Sequence, residues 1–161
     1  MLIGVPKEIK NHEYRAGLVP GSVHECVHHG HSVIVETGLG DGIGCTDDDY
    51  RDSGATIVDS ADRVFAEADM VIKVKEPQEV ERKMLRRGQI LFTYLHLAAE
   101  PEVTEALVRS GCIAIGYETV QRDDGFLPLL APMSEIAGRL AVEIGAPYLK
   151  RPGPGRGRKR R

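Results

Sequence analysis

The sequence lacks most of the features that mark secreted, membrane and disulfide-stapled proteins. It holds only three cysteines, Cys26, Cys45 and Cys112, an odd number with no CxxC pair. This predicts reduced thiols in a cytoplasmic protein rather than a disulfide framework. No basic segment precedes an apolar run at the N-terminus, and no apolar run is long enough to cross a bilayer. We therefore expect neither a signal peptide nor a membrane segment.

Charge is unevenly distributed along the chain. The 161 residues carry a net charge of −3, but residues 150–161 hold seven of the 21 basic residues and no acidic residue. This end is rich in Gly and Pro and cannot build a core, so we expect a disordered basic tail. The tail is basic but has no aromatic side chains for base stacking, so we expect only non-specific contact with nucleic acid and no dedicated nucleic-acid partner. The alternative, a nucleic-acid-binding arm, would bind weakly and in a salt-sensitive way.

The body of the chain alternates short apolar runs with helix-like segments. Strands are predicted at 2–5, 33–35, 55–58, 70–75, 89–96 and 112–115, and helices at 20–29, from 47, at 60–67, 77–88 and 101–111, and from 132. Regular alternation with short connections is typical of an α/β fold with a mainly parallel sheet. We predict a Rossmann-like or flavodoxin-like domain that ends in a long helix.

Two sequence patterns match known ligand-binding motifs, but their surroundings argue against these functions. His24 and His28 fit the zinc-binding pattern HExxH, but the helix is short and lacks a third ligand, which favours a solvated helix and no metal site. The four glycines between Gly38 and Gly44 have the wrong spacing for a dinucleotide loop, and acidic residues 47–49 follow where phosphate would bind. The chain therefore contains no recognisable nucleotide fingerprint.

Three ionisable side chains are predicted to meet at one edge of the sheet. Lys75 and His96 end two of the predicted strands, and Arg15 lies in the loop after the first strand. Ligands of parallel sheets bind outside the carboxyl ends of the strands. Two cations suit a carboxylate, and a histidine can relay protons. The alternative is that Lys75 and Arg15 are solvated surface residues and His96 an ordinary loop histidine.

These positions belong to an ordered set of motifs. The set comprises IGVPKE (3–8), EYR (13–15), VETG (35–38), VKEP (74–77), YLHLA (94–98), GYET (116–119) and PLLAPMSEIAGR (128–139). Over residues 1–150 the chain resembles the alanine dehydrogenase family, which shares this domain with the α-subunit of nicotinamide nucleotide transhydrogenase. The presence of both Lys75 and His96 favours the alanine dehydrogenase branch.

The resemblance implies NAD-dependent interconversion of L-alanine with pyruvate and ammonia. By analogy with the family, Arg15 and Lys75 hold the substrate and His96 is the acid/base. The remaining implied roles are pocket lining by Tyr94, Glu118 and Met133, and cofactor contact by Ser134. The family assembles as homo-oligomers and lies in the cytoplasm.

The end of the chain departs from the family pattern. In the family the last helix leads into an NAD-binding domain, whereas here the sequence changes character near Lys150. We therefore expect a substrate-binding domain at 1–131, an interdomain helix at 132–149 and a basic tail at 150–161. The expectation is a truncated or frame-shifted product, inactive alone. The alternatives are a transhydrogenase-like domain and a small binding protein with a nucleic-acid-binding tail.

Overall fold

The computed structural model describes residues 1–150. Its strands are β1 Leu2–Val5, β2 Ser32–Glu36, β3 Thr56–Val58, β4 Met70–Ile72, β5 Ile90–Thr93 and β6 Ile113–Gly116. The α-helices are α1 Pro20–His28, α2 Asp47–Asp52, α3 Ala61–Glu67, α4 Glu79–Arg82, α5 Pro101–Ser110 and α6 Ala131–Gly145. Strands and helices alternate as predicted from the sequence.

All six strands form one parallel sheet with the order β3-β2-β1-β4-β5-β6. Each strand pairs in parallel with its neighbours, for example Val5 with Val35 and Ile72 with Phe92. The α/β class with a mainly parallel sheet is thereby confirmed, and the strand order is that of the Rossmann fold. The order reverses between β1 and β4, and this switch point is where such sheets open a crevice for ligands.

Alternate residues of the strands pack into different cores. Val71 and Leu91 belong to a cluster with Phe65, while Ile72 and Val35 belong to another. Successive side chains of a strand point to opposite faces, so buried strands need apolar residues at consecutive positions. This requirement explains the unbroken apolar runs in the sequence.

One predicted helix is longer than the observed one. The helix predicted at 77–88 is only the single turn α4, in which Val80 is 53% exposed. Long-range hydrogen bonds override helix propensity after this turn. The Arg86 guanidinium donates to the carbonyl oxygens of Phe65 and Ala68, at 3.2 and 2.7 Å, where α3 ends. These bonds fix the chain in a non-helical path.

The strands predicted to reach Lys75 and His96 end at Ile72 and Thr93. The chain nevertheless stays alongside its neighbour past β4. The Lys73 amide donates to the Phe92 carbonyl at 3.1 Å, and the Tyr94 amide donates to the Val74 carbonyl at 3.2 Å. The predicted side chains therefore leave from extensions of the strands.

The chain divides into two compact units, Met1–Tyr117 and the residues from Glu118 onward. The first unit contains the sheet, and the second contains α6, the long helix predicted at the end of the domain. The predicted boundary between residues 131 and 132 stays a prediction, and the predicted disorder of the tail beyond Lys150 lies outside the described residues. Within the described part, no helix combines the length and the apolar character that a membrane span requires.

Candidate active site

The loops that follow β1, β4 and β5 carry the predicted site residues of the first unit. Arg15 lies in the loop after β1, Lys75 is three residues past β4, and His96 is three residues past β5. These three strands are adjacent in the sheet. Because all strands are parallel, their loops emerge at the same edge, on either side of the switch point and next to it.

Arg15 is held by a carboxylate two residues away. Its Nε donates to Oε1 of Glu13 at 2.7 Å, and its Nη2 donates to Oε2 at 2.6 Å. The Arg15 amide also donates to Oε1 at 3.0 Å. This fork lowers the pKa of Glu13, chiefly through the side-chain hydrogen bond, and raises the pKa of Arg15 for the same reason. The guanidinium is therefore already oriented to grip a carboxylate.

Lys75 is half-buried beside this pair. Its positive charge contributes to the lowered pKa of Glu13, although less than Arg15 does. Its main chain is held on both sides, because its amide donates to Oε1 of Glu8 at 3.3 Å and its carbonyl accepts from the hydroxyl of Thr93 at 2.8 Å. Two cationic side chains from the loops after β1 and β4 thus lie near the carboxylate of Glu13.

Tyr94 and His96, from the segment after β5, complete the group of predicted site residues in the first unit. Their rings lie 6.1 Å apart at an angle of 19°. Tyr94 also packs edge-on against Tyr117 at 4.9 Å, and burial raises the pKa of Tyr117. The Tyr94 hydroxyl contributes to the raised pKa of Arg15, after Glu13, which links the aromatic group to the guanidinium.

The backbone of His96 is in the left-handed region, with φ of 50°. Among the described non-glycine residues only His12 shares this feature. A residue with a Cβ adopts this conformation at a cost, and such positions cluster at functional sites. The turn presents the exposed imidazole immediately before the short 3-10 helix Leu97–Ala99.

A cleft of about 300 Å³ opens beside Arg15, between the loop after β1 and the loop after β2. It is lined by Lys7, Glu8, Glu13, Tyr14, Arg15, Leu39, Asp41 and Gly42. A larger cleft between α4 and α5 contains none of the predicted site residues. Its lysine and glutamate side chains include the surface pair Lys83–Glu79 at 2.9 Å, which is typical of a solvated face.

Three predicted site residues lie in the second unit. Glu118 is in the 3-10 turn Tyr117–Thr119, and Met133 and Ser134 are in the first turn of α6. The Ser134 hydroxyl lies 3.4 Å from the carbonyl of Leu130, one turn earlier. Their roles in the pocket and toward a cofactor stay predictions.

Comparison with known proteins identifies the family. A family model described as "Alanine dehydrogenase/PNT, N-terminal domain" matches residues 4–137. The chain belongs to this family. The predicted resemblance is thereby confirmed.

Curated and solved relatives of this alanine dehydrogenase/PNT N-terminal domain agree. The chain is 53% identical to an alanine dehydrogenase of Mycolicibacterium smegmatis and 52% identical to one of Bacillus subtilis, each over 98% of this chain. It covers 42% and 41% of those proteins. A solved L-alanine dehydrogenase superimposes with a TM-score of 0.87 at 54% identity, over 98% of this chain and 43% of that one. A transhydrogenase from Sinorhizobium meliloti gives a TM-score of 0.71 at 25% identity, over 76% and 36%.

The glycine-rich loop of this alanine dehydrogenase/PNT domain does not fit a dinucleotide. A Cβ at Gly40 would overlap the carbonyl oxygen of Cys45, and one at Gly42 would overlap that of Tyr14. Glycine is therefore required at these two positions so that the protein's own backbone can approach closely, and the space is not available to a pyrophosphate. Asp47 accepts from the amide of Gly38 at 2.8 Å, which occupies an N–H that could face a phosphate. Residues 1–150 offer no dinucleotide cradle in this loop.

The histidine pair also lacks the surroundings of a metal site. His24 and His28 are exposed and stack at 6.4 Å. No group of three or more metal-ligating side chains occurs in the part of the chain that the structure describes.

Four charged residues at or near the candidate site, Glu8, Glu13, Lys73 and Glu81, are not predicted from the sequence as site residues. Glu13 lies within the EYR motif and orients Arg15. Lys73 lies within an apolar run and is fully buried between Glu8 and Glu81. A signal was present, because a lysine inside a buried strand requires buried counter-ions. The sequence alone could not show which carboxylates supply them.

Proposed function

We propose that this domain is the substrate-binding part of an NAD-dependent alanine dehydrogenase, which interconverts L-alanine with pyruvate and ammonia. The observation that carries the proposal is the clustering of Arg15, Lys75, Tyr94 and His96 at the β1/β4 switch point. Relatives at 52–53% identity are named alanine dehydrogenases. The chain spans about two fifths of their length, 42%.

The two cations suit a 2-oxo acid. The Arg15 fork matches the geometry of a carboxylate, and Lys75 supplies a point charge to polarise the adjacent carbonyl oxygen. A polarised carbonyl is more readily attacked by ammonia, because negative charge develops on its oxygen. The same cations neutralise the carboxylate of alanine in the opposite direction.

Glu13 competes with a substrate carboxylate for the guanidinium of Arg15. It already accepts from Nε and Nη2 of Arg15. A substrate carboxylate must share or replace these bonds, so binding is an exchange of one carboxylate for another. Such an exchange limits affinity but costs little reorganisation of the guanidinium.

His96 is the proposed proton carrier. Formation and breakdown of a carbinolamine move protons between nitrogen and oxygen, and an imidazole can donate and accept near neutral pH. The left-handed backbone of His96 and the stacked ring of Tyr94 restrict where the imidazole can lie. Restriction of this kind favours catalysis through orientation.

The NAD that the family implies has no cradle in the glycine-rich loop after β2, because backbone atoms of Cys45 and Tyr14 fill the space beside Gly40 and Gly42. We expect no NADH oxidation with pyruvate and ammonium by residues 1–161 alone. A transhydrogenase-like domain is the weaker alternative, because the solved transhydrogenase is 25% identical and the solved alanine dehydrogenase 54%. Nucleic-acid binding, oligomerisation and cytoplasmic location stay predictions.

The test is titration of the purified 161-residue chain with pyruvate, followed by NMR of the backbone amides. We expect shifts at Arg15, Lys75 and His96. Arg15→Gln and Lys75→Met should each weaken binding about ten-fold or more, the factor expected for losing a charge-assisted contact.

Lys83→Met is the matched control, since Lys83 pairs with Glu79 on the exposed face of α4. It should leave the affinity for pyruvate unchanged. Absence of saturable binding by the unaltered chain, or equal loss in the Lys83 variant, would contradict the proposal.

A further inference from the structure

A lysine without solvent exposure lies between two carboxylates behind the candidate site. Lys73 Nζ donates to Oε1 of Glu81 at 2.6 Å and to Oε2 of Glu8 at 3.2 Å. The side chains of Lys73, Glu8 and Glu81 are 0%, 2% and 1% exposed. Glu8 follows β1 and Glu81 lies in α4, so the lysine joins three separate parts of the first unit.

The other oxygen of Glu8 holds the backbone that carries Lys75. Its Oε1 accepts from the amide of Val74 at 2.6 Å and from that of Lys75 at 3.3 Å. One carboxylate therefore contacts Lys73 on one side and the main chain leading to Lys75 on the other. This segment lies past the end of β4, where the carbonyl groups of Val74 and Lys75 accept from Tyr94 and Thr93 and their amides donate to Glu8.

Glu81 completes the arrangement. Its Oε2 accepts from the amide of Gln78 at 2.7 Å, which anchors it to the start of α4. Burial raises the pKa of Glu81, and the opposing influence of Lys73 is smaller. Glu8 and Glu81 thus fix the ammonium of Lys73 from two directions, and Lys73 in turn fixes the orientation of Glu8.

Stability alone is a poor explanation for this set of charges. Buried ion pairs are expensive to desolvate, and apolar side chains of similar size often stabilise a fold as well or better. What an apolar replacement could not do is accept two backbone N–H groups at a defined point. A buried polar network of this type restricts its members to one geometry.

We propose that Glu8, Lys73 and Glu81 form a positioning assembly that sets the main chain of Val74 and Lys75 and thereby the place of the Lys75 ammonium beside Arg15. The part of this inference that concerns ligand binding rests on the proposed function. The three are positioning residues: Glu8, which also lines the cleft beside Arg15, contacts the backbone of Val74 and Lys75, and Lys73 and Glu81 act through Glu8.

The experiment is amide hydrogen exchange on the 161-residue chain with Glu8→Gln. The amide oxygen of glutamine keeps the shape but not the charge of the acceptor. We expect exchange at Val74 and Lys75 to accelerate about ten-fold, as for loss of one charge-assisted hydrogen bond. Exchange in β2, for example at Val35, should stay unchanged.

Asp69→Asn is the matched control. Asp69 also accepts a long-range backbone N–H, from Leu2 at 2.7 Å, but at the start of β1 rather than beyond its end. This variant should leave Val74 and Lys75 unaffected. If Glu8→Gln does not fold, Glu8→Asp keeps the charge and shortens the reach to the two amides, and the same acceleration is expected.

Pyruvate titration of the same variants supplies the second readout. Faster exchange confined to Val74 and Lys75, with about ten-fold weaker pyruvate binding, supports the assembly. Uniform acceleration throughout the sheet, or no change at the two amides, overturns it, and so does local loosening with unchanged affinity. If the unaltered chain binds no pyruvate, the proposed function fails, and the exchange pattern alone then decides whether the assembly holds the main chain.

Discussion

Two assemblies of cations and carboxylates lie at the same edge of the sheet and differ in almost every physical respect. Glu13 and Arg15 are two residues apart in one loop, and their side chains are 7% and 43% exposed. Glu8, Lys73 and Glu81 come from three parts of the chain, and none of them is more than 2% exposed. One pair can exchange partners with solvent or ligand, and the other group cannot.

The two assemblies therefore suit different roles: the buried one fixes the backbone of the site, and the partly exposed one can bind a ligand. In the Glu13–Arg15 pair the guanidinium is exposed to solvent, so water partly screens the pair and a substrate carboxylate can reach the cation. A buried group loses far more when one member is removed, because the remaining charges have no water to solvate them. Rigid geometry behind Lys75 and exchangeable geometry at Arg15 are therefore complementary.

The largest expected effect follows from removing the buried cation. Lys73→Met keeps the length of the side chain but leaves Glu8 and Glu81 facing each other without a cation. We expect the free energy of unfolding to fall by about 3–5 kcal/mol. Urea unfolding followed by circular dichroism measures this loss.

Replacing the whole buried group provides the control. The triple variant Lys73→Met, Glu8→Gln, Glu81→Gln removes the charges together and should recover about half or more of the lost stability. Lys83→Met, at an exposed lysine, is the second control. If Lys73→Met and Lys83→Met lower the free energy of unfolding by amounts within about 0.5 kcal/mol of each other, burial does not distinguish the two assemblies.

The comparison also shows which parts of the structure can be predicted from the sequence. The six strands and the parallel sheet follow from apolar runs and turn residues, because burial on both faces demands that pattern. The placement of Arg15, Lys75 and His96 in loops at one edge of the sheet follows from the parallel strands that precede them, although β4 and β5 end three residues earlier than predicted. What could not be predicted depends on contacts between distant segments, such as Glu8 reaching Val74.

The predicted length of helix α4 is wrong for the same reason. The pattern of residues 77–88 suits a helix, but Arg86 finds the carbonyl oxygens of Phe65 and Ala68. Local propensity amounts to tenths of a kcal/mol per residue, roughly, and several tertiary hydrogen bonds exceed it. Family motifs predict the site residues, whereas the hydrogen bonds from Arg15 to Glu13 are visible only in the structure.

The two assemblies should respond to pH with opposite signs. Glu81 has a pKa raised above its ordinary value of 4.5 by burial, so the folded state binds more protons and stability falls as the pH rises through that window. Glu13 has a pKa lowered from 4.5 by the hydrogen bond from Arg15, so its contribution is present above 4.5 and is lost on acidification.

Urea unfolding from about pH 3 to about pH 8 tests the opposite signs of the two contributions. Relative to the unaltered chain, Glu81→Gln should lessen the fall in stability above pH 4.5, and Glu13→Gln should lessen the fall below it. Parallel pH profiles for the two variants would show that the two carboxyl groups have similar surroundings.

The smallest expected effect is the coupling between Glu13 and Arg15. A double-mutant cycle with Glu13→Gln, Arg15→Gln and both together isolates that pair. Because the guanidinium is partly solvated, we expect a coupling free energy of at most about 1 kcal/mol, and most of it should vanish at about 1 M salt. The same cycle on Glu8 and Lys73 should give a larger coupling that persists in salt, since water and ions do not reach that pair. Equal couplings with equal salt dependence would mean that burial does not distinguish the two assemblies, and the division between a rigid support and an exchangeable anion site would have to be abandoned.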